Sequence, residues 1–277
     1  MTAENWRRSA AARLLSCGDE DAEWDARLFL CAVLGCEPGE LRLRRDENLT
    51  DGKLGQLEQM LERRISGEPE QYIEGCTWFM GLRFICDKRA LIPRQDTETL
   101  CEYAFHQLKN QESAKVLDLC TGSGILAVVI KKAFPSSSVT ASDISSEALE
   151  LASENARMHN AEVRFVKSDG FNELRGERFD LIVCNPPYLT KTDMDELPEL
   201  VRREQALALY GGTDGLDFYR KIAPQLHDFL TPEGCAAFET GDTQAGCVAG
   251  ILRSCGFSYI EIVRDINQKE RVVVVRK

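Results

Sequence analysis

The tetrapeptide Asn185-Pro186-Pro187-Tyr188 combines side-chain and backbone groups that can recognise a planar NH2 group. The side-chain carbonyl of Asn185 is a hydrogen-bond acceptor. The two prolines have a fixed φ and no N–H, so the loop offers carbonyl acceptors without competing donors. The ring of Tyr188 can pack on a flat conjugated group. Asn-Pro-Pro is also a common turn sequence, so its chemistry depends on what lies nearby.

A second segment, Asp118-Leu119-Cys120-Thr121-Gly122-Ser123-Gly124, is typical of a loop that ends a strand and begins a helix beside a ligand. Asp143 ends the next predicted strand about twenty residues later, where nucleotide folds hold a ribose hydroxyl. The run from Gly122 to Ala127 also fits the looser dinucleotide fingerprint. Asp118 favours S-adenosylmethionine instead, because a carboxylate repels a pyrophosphate and attracts the ammonium of a methionine moiety.

The cofactor site is predicted to include a third segment, Ser168-Asp169-Gly170-Phe171, which follows the third predicted strand. A carboxylate acceptor and backbone at that point can meet adenine, although Asp-Gly is equally typical of a simple turn. The candidate cofactor-binding residues are Asp118, Cys120, Thr121, Gly122, Ser123, Gly124, Asp143, Asp169, Gly170, Phe171 and Asn185.

The elements that must position these loops alternate between strand and helix from Ala114 onward, which predicts a doubly wound α/β sheet. Strands are predicted at 116–119, 139–142, 163–166, 181–184, 235–238, 259–263 and 272–275. Helices are predicted at 125–134, 146–159, 214–229 and 243–254. Since no helix separates the last two strands, the final strand is expected to be antiparallel. Ligands bind beyond the carboxyl ends of such strands, where Asn185 stands.

The N-terminal part of the chain has the periodicity of packed helices. From Trp6 to about Gly67 apolar residues recur at three- and four-residue steps, with breaks at 18–19, 37–39 and 50–52. This pattern predicts a small helical bundle, and Thr50 or Asp51 is the expected N-cap of its last long helix.

Aromatic residues with interposed glycines between residues 67 and 93 predict a β-hairpin. Asp96 or Thr97 is then expected to cap a helix that continues to Leu108. The predicted organisation is a helical bundle at 1–70, a β-hairpin linker at 71–95 and a catalytic domain at 96–277.

Composition limits the classes of partner and of site. The 277-residue chain has a net charge of −11 and a pI near 5.0, which argues against binding to nucleic acid. Its eleven cysteines form no C-x-x-C pair and its three histidines are far apart, so no disulfide framework and no metal site are expected. Such cysteine usage fits a reducing cytoplasm. No continuous apolar segment predicts a signal peptide or a membrane span.

Asp-x-x-x-Gly-x-Gly, Asp143 and Asn-Pro-Pro-Tyr, in this order, resemble the class I S-adenosylmethionine-dependent methyltransferases that act on amide or amino nitrogens. Within that class the chain resembles the bacterial glutamine N5-methyltransferases of peptide chain release factors, the HemK-like family. The resemblance covers nearly the whole chain, since further segments also match: Gly67-Glu68-Pro69, Gln71-Tyr72-Ile73, Leu91-Ile92-Pro93-Arg94, Asp96-Thr97-Glu98 and Gly212-Thr213-Asp214-Gly215-Leu216.

The resemblance implies methyl transfer to the side-chain amide nitrogen of the glutamine in the Gly-Gly-Gln motif of release factors. In our hypothesis Asn185, Pro186 and Tyr188 are catalytic: the first two accept the amide hydrogens and the third packs on the amide plane. Pro187 and Arg94 would contribute to substrate binding, and the helical bundle would contact the release factor. A cytoplasmic monomer that binds neither membrane nor nucleic acid is expected.

Three residues depart from the family's pattern. Cys120 stands where the family has glycine, Gln95 replaces a proline, and Gly170 replaces an aromatic residue that covers the adenine, a contact that can pass to Phe171. These departures concern cofactor affinity more than reaction type.

Three alternative functions remain open at this point. An adenine-N6 DNA methyltransferase shares the Asn-Pro-Pro-Tyr loop, but it needs a basic groove for a flipped base. A ribosomal-protein glutamine methyltransferase differs in its partner alone. The third alternative is a cofactor-binding scaffold without enzymatic activity.

Overall fold

The structure is a computed structural model that describes residues 1–197, 201 and 206–277. Contacts within the chain divide it into two compact units, with a boundary between Gly75 and Cys76. The first unit contains helices α1 (Ala3–Ser16), α2 (Ala22–Leu34), α3 (Asp51–Ile65) and α4 (Glu70–Glu74), and a 3-10 turn at Leu41–Leu43.

A compact apolar core holds the first unit together. Trp6, Phe29 and Leu57 are fully buried in it. The hydroxyl of Thr50 accepts a hydrogen bond from the Lys53 amide, which confirms the predicted N-cap of α3. Helix α4 ends at Gly75, whose φ of 70° is left-handed. The helical unit therefore extends five residues beyond the boundary expected at residue 70.

A buried ionic cluster links α2, α3 and the start of α4. Arg64 contacts Asp25 at 2.5 Å and Asp19 at 3.0 Å, and the Asp25 side chain is fully buried. Burial, followed by the neighbouring Asp25 carboxyl, raises the pKa of Glu70 to about 8. Three carboxyl groups, the buried Asp25 and the half-buried Asp19 and Glu70, thus share the single guanidinium of Arg64.

The second unit begins with a hairpin of strands β1 (Cys76–Phe79) and β2 (Leu82–Ile85). Its turn residues Met80 and Gly81 have φ values of 48° and 73°, as a tight hairpin turn requires. The Met80 amide donates to the Glu98 carboxylate at 3.0 Å. The hairpin expected in the segment 71–95 is therefore present. Its turn is hydrogen-bonded to Glu98, near the start of the next helix.

A seven-stranded sheet forms the centre of this unit in the described part of the chain. Its order is β5-β4-β3-β6-β7-β9-β8. The strands from β5 to β7 are parallel, and β9 is antiparallel to both of its neighbours, as predicted. The strands are β3 (Lys115–Leu119), β4 (Ser138–Asp143), β5 (Val163–Lys167), β6 (Phe179–Cys184), β7 (Leu230–Glu239), β8 (Tyr259–Arg264) and β9 (Glu270–Arg276).

Helices cover both faces of the sheet. The central strands alternate their side chains between two apolar clusters, for example Val116 in one and Leu117 in the other. The helices are α5 (Thr97–Leu108), α6 (Ile125–Ala133) and α7 (Ser146–Met158), with further helices at Lys191–Glu196, Ala206–Leu209, Asp217–Ile222, Leu226–Phe229 and Ala245–Ser254.

Two helix predictions need correction. The helix predicted at 214–229 is three short pieces, because Pro224 has no amide hydrogen to continue it and a 3-10 turn takes its place. Asp96 stands at the N-cap of α5, but neither its side chain nor that of Thr97 caps the helix, since Thr97 turns its hydroxyl toward Asn185. By contrast, the Ser145 side chain caps α7 by accepting a hydrogen bond from the Ala148 amide.

The strand register places the candidate loops side by side. Leu119 at the end of β3 lies level with Ser142 of β4 and with Cys184 of β6. Strands β3 and β6 are neighbours although they are not consecutive, so a crevice opens between the loops that follow them. In the part of the chain that is described, no helix is long and apolar enough to cross a membrane.

Candidate functional site

A cavity lies at the carboxyl ends of strands β3 to β6, entirely within the second unit. Ten of the candidate residues line it: Arg94, Cys120, Thr121, Gly122, Ser123, Asp143, Asp169, Gly170, Asn185 and Pro187. Five others do not: Asp118, Gly124, Phe171, Pro186 and Tyr188. The structure therefore brings the three predicted loops together around one space.

The loop after β3 contains left-handed backbone conformations that residues other than glycine rarely adopt. Cys120, Gly122 and Gly124 have φ values of 62°, 53° and 82°. A side chain in this left-handed region strains the backbone, which explains physically why glycine is favoured where Cys120 stands. Gly124 has a second constraint, because a Cβ there would lie 2.8 Å from the Ala152 Cβ of α7. It is a packing residue rather than a wall of the cavity.

Asp118 lies behind the wall of the cavity and organises the loop. Its fully buried carboxylate accepts hydrogen bonds from the Thr121 hydroxyl at 2.5 Å and the Ala127 amide at 3.1 Å. Burial raises its pKa to about 7. No donor among the described residues reaches its second oxygen, Oδ1. The Asp118 carboxylate therefore does not line the cavity and does not face a ligand there directly.

Asp143 is half-buried at the end of β4 and lines the cavity. Its Oδ2 accepts a hydrogen bond from the Gly122 amide, and its Oδ1 accepts one from the Ser145 amide, both at 2.9 Å. Burial raises the pKa of this carboxyl, and the backbone hydrogen bonds lower it. Each carboxylate oxygen has further acceptor capacity, so the side chain can still hold a diol from its predicted position.

The loop after β5, which was predicted to meet the adenine, differs from the prediction. Phe171 is buried, stacks on Phe229 at 4.2 Å and does not line the cavity, so it cannot cover a ligand as predicted. Asp169 forms an ion pair with Lys221. An aromatic side chain on the wall is the half-buried Phe218, which the sequence did not single out because it lies in a short, mixed polar and apolar helix with no motif.

The four residues of Asn185-Pro186-Pro187-Tyr188 divide between the cavity and the core. Asn185 and Pro187 line the cavity, whereas Pro186 is buried. Tyr188 packs against the core and directs its hydroxyl at Glu239, 3.4 Å away. The Tyr188 ring is therefore not exposed on the cavity wall in this structure.

Glycines bring a second loop against the backbone of this tetrapeptide. A Cβ on Gly211 would lie 2.6 Å from the Pro187 carbonyl oxygen, and one on Gly215 would overlap the Tyr188 carbonyl oxygen. The Gln244 side chain also donates to that Tyr188 oxygen at 2.8 Å. The segment 211–216 thus holds the Asn185–Tyr188 loop in place, which gives a physical reason for its glycines.

The segment that carries Arg94 lines another part of the cavity. Gln95 is exposed, and its carbonyl still accepts the Glu98 amide at 2.9 Å, so the turn forms without the family's proline. Thr97, which also lines the cavity, accepts a hydrogen bond from the Asn185 amide nitrogen at 3.1 Å. Sequence reasoning missed this role, since the two residues are 88 positions apart.

Known proteins with similar sequences cover this chain almost completely. It is 38% identical over 97% of its length to the release factor glutamine methyltransferase of Deinococcus radiodurans, spanning 96% of that protein. The enzyme of the same name from Geobacter sulfurreducens is also 38% identical, over 97% of this chain and 93% of that protein. The chain belongs to the release factor glutamine methyltransferase family.

Matches to domain families follow the two units of the structure. Residues 5–75 match the family described as "PrmC N-terminal domain", and residues 98–207 match the "Methyltransferase small domain". A solved methyltransferase from Pyrococcus furiosus is similar in fold, with a TM-score of 0.53 and 17% identity, over 82% of this chain and 99% of that one. The methyltransferase fold expected from the resemblance is confirmed.

The cofactor of a methyltransferase of this family is S-adenosylmethionine, and the cavity fits it chemically. A carboxylate at Asp143 can accept from a diol, and the positive φ of Gly122 leaves backbone open to a ligand. Ile144 and Leu126 supply apolar wall. The buried Asp118 Oδ1, which has no donor among the described residues, adds negative character near the loop that would face the ammonium group.

Proposed function

We propose that this protein transfers a methyl group from S-adenosylmethionine to N5 of the glutamine in the Gly-Gly-Gln motif of a peptide chain release factor. One observation carries the proposal: Asn185 stands on the cavity wall at the carboxyl end of β6, beside the loops of β3 and β4 that fit the cofactor. Family membership supports the substrate, because the similar enzymes are named for release factor glutamine methylation.

The chain's own residues would act by positioning the amide. An amide nitrogen is a weak nucleophile because its lone pair is delocalised into the carbonyl. Asn185 Oδ1 would accept one N–H of the substrate amide at the cavity wall, which orients the nitrogen and favours the positive charge it gains. The Pro186 carbonyl would accept the other N–H, and because Pro186 is buried off the cavity wall, this contact would require the substrate to reach that carbonyl. S-adenosylmethionine, when bound, supplies the electrophilic methyl group. The nitrogen then loses a proton to water or to a carbonyl acceptor.

The roles of three other candidate residues follow from where they lie. Asp143 would hold the ribose, and Arg94 and Pro187 would seat the substrate loop from the cavity wall. Tyr188 would contribute by stiffening the catalytic loop through Glu239, and its contact with the amide plane would require the ring to face the substrate. Asp118 would act on the cofactor through the loop that it holds.

The helical unit would recognise the release factor, and the protein would act as a cytoplasmic monomer without binding nucleic acid directly. A separate unit of four helices matched to its own family supports the first of these proposals. The net charge of −11 supports the last, since a nucleic-acid groove requires clustered Lys and Arg.

The test is incubation of the protein and S-adenosylmethionine with an intact release factor, followed by mass spectrometry of the Gly-Gly-Gln peptide. One added methyl on the glutamine is the expected result. Asn185→Ala should lower the rate about a hundredfold, the scale of one lost transition-state hydrogen bond, and should keep most of the cofactor affinity. Methylation of duplex DNA instead of the release factor, or near wild-type turnover by Asn185→Ala, would refute the proposal.

A further inference from the structure

The Asn185 side chain can serve the reaction in only one of its two orientations. Its amide has an acceptor oxygen at one side and a donor NH2 at the other. A substrate amide that presents N–H groups needs the oxygen. If the side chain were flipped, two sets of donors would face each other, and the nitrogen would be repelled rather than held.

Thr97, the first residue of α5, contacts the NH2 side of Asn185. Its hydroxyl oxygen lies 3.1 Å from the Asn185 nitrogen and accepts a hydrogen bond from it, and the Thr97 side chain is almost fully buried. A hydroxyl can both donate and accept, so this contact by itself does not fix the direction of the amide. The neighbour on the other side of Thr97 decides it.

That neighbour is Glu239, the last residue of β7, whose side chain is fully buried. Burial raises the pKa of Glu239 to about 7, and the nearby Thr97 hydroxyl lowers it against that effect. One oxygen of this carboxyl, Oε2, has no hydrogen-bond partner among the described residues. Tyr188 donates to the same carboxylate at 3.4 Å. Arg271 lowers the pKa and Asp96 raises it, and these two form an ion pair with each other at 3.0 Å.

A carboxylate can only accept hydrogen bonds. An ionised Glu239 therefore favours the arrangement in which the Thr97 hydroxyl directs its single proton at the carboxylate and accepts from its other contact. The NH2 side of Asn185, which donates to the Thr97 hydroxyl at 3.1 Å, fits that arrangement. Flipping Asn185 would draw that proton to the Asn185 oxygen and leave the buried Glu239 carboxylate with one donor fewer, which costs about 1–3 kcal/mol.

We propose that Thr97 and Glu239 are positioning residues that hold the Asn185 amide with its oxygen toward the substrate. This inference rests on the proposed function, because it assigns Asn185 Oδ1 to the glutamine amide. It adds two residues that lie outside the catalytic tetrapeptide: one at the start of α5, where a helix cap was expected, and one at the end of β7.

The test compares Thr97→Val, which keeps the shape and removes the hydroxyl, with Thr97→Ser, which keeps the hydroxyl. At pH 8.5, where Glu239 is ionised, Thr97→Val should lower kcat for release factor methylation about tenfold or more. Its Kd for S-adenosylmethionine, measured by calorimetry, should change less than about threefold. Thr97→Ser should restore most of kcat. A Thr97→Val enzyme with wild-type kcat, or a Thr97→Ser enzyme as slow as Thr97→Val, would overturn the inference.

A double-mutant cycle separates positioning from a general loss of structure. Once Asn185 is alanine, Thr97 has no amide to orient, so Thr97→Val should cause no further loss of kcat in the Asn185→Ala background. A full additional tenfold loss there would overturn the inference. Glu239→Gln, whose amide donates as readily as it accepts, should also lower kcat while cofactor affinity is kept. Absence of release factor methylation by the wild-type protein would instead refute the proposed function, so the two failures are distinguishable.

Discussion

Replacement of Gly124 by alanine should destabilise the catalytic unit much more than the same replacement at Gly122. Both residues have left-handed φ values, 82° and 53°, in the loop after β3. A Cβ on Gly124 would meet the Ala152 Cβ at 2.8 Å and the Ala152 Cα at 3.0 Å, whereas one on Gly122 would find only the Ala90 Cβ, at 4.0 Å. The pair therefore separates backbone strain from close packing.

The magnitudes follow from three contributions. A left-handed alanine costs about 1–2 kcal/mol, and alanine recovers about 0.4–1 kcal/mol by restricting the unfolded chain. The net cost for Gly122→Ala is thus about 1 kcal/mol. Overpacking against α7 adds about 1–3 kcal/mol for Gly124→Ala. Its total loss should be about 3 kcal/mol, roughly 2 kcal/mol more than that of the control variant.

Native-state hydrogen exchange of the amides in β3 and β6 is the suitable assay, because it reports opening of this unit separately from the helical one. The two variants should differ in the free energy of opening by about 2 kcal/mol, which corresponds to roughly a thirtyfold difference in exchange rate. Equal losses for both variants would show that the approach of Gly124 to Ala152 carries no packing constraint, and the reasoning would then be wrong.

Three further predictions concern single side chains. Asp143→Ala should weaken S-adenosylmethionine binding about 10- to 100-fold by calorimetry, the scale of one charged hydrogen-bonding partner. Cys120→Gly removes the strain at φ 62° but loosens the unfolded chain, so by urea unfolding its stability should stay within about 1 kcal/mol of wild type; calorimetry should show no loss of cofactor affinity. The raised pKa of Glu70 means that the folded state keeps a proton up to about pH 8, so its contribution to stability falls as pH rises from about 4.5 to 8. Glu70→Gln should therefore raise Tm more at pH 9 than at pH 5, and an equal shift at both would contradict this.

The sheet and its loops could be predicted because their signal is local. Short strand-like runs, most of them apolar, marked each strand from β3 to β9, although β7 begins at Leu230, five residues before its predicted start. Parallel strands bring their carboxyl ends to one edge. Asp143 and Asn185 were therefore placed on the same cavity from sequence alone. The side chains that cap helices were harder to predict. The cap expected from Asp96 or Thr97 does not form, because the Thr97 hydroxyl contacts Asn185 instead.

Roles that depend on side-chain direction could not be predicted. Gly170 and Phe171 are adjacent, yet one lines the cavity and the other stacks on Phe229 in the core. Asp118 follows the expected spacing, but the Thr121 hydroxyl and the Ala127 amide turn its carboxylate away from the cavity. Such directions are set by contacts formed only in the folded chain, for which no local pattern exists.

Several segments that are distant in sequence share one structural role, which is to hold the tetrapeptide Asn185–Tyr188 in place. Thr97, at the start of α5, contacts Asn185. Gly211 and Gly215 let a second loop reach the backbone of Pro187 and Tyr188. Glu239 accepts a hydrogen bond from the Tyr188 hydroxyl. In the proposed mechanism an amide is activated by placement, and misplacement by about 1 Å can cost a hundredfold in rate. A loop held from three sides loses little conformational freedom when the substrate binds. The rate should therefore depend on these supporting residues even where they touch neither substrate nor cofactor.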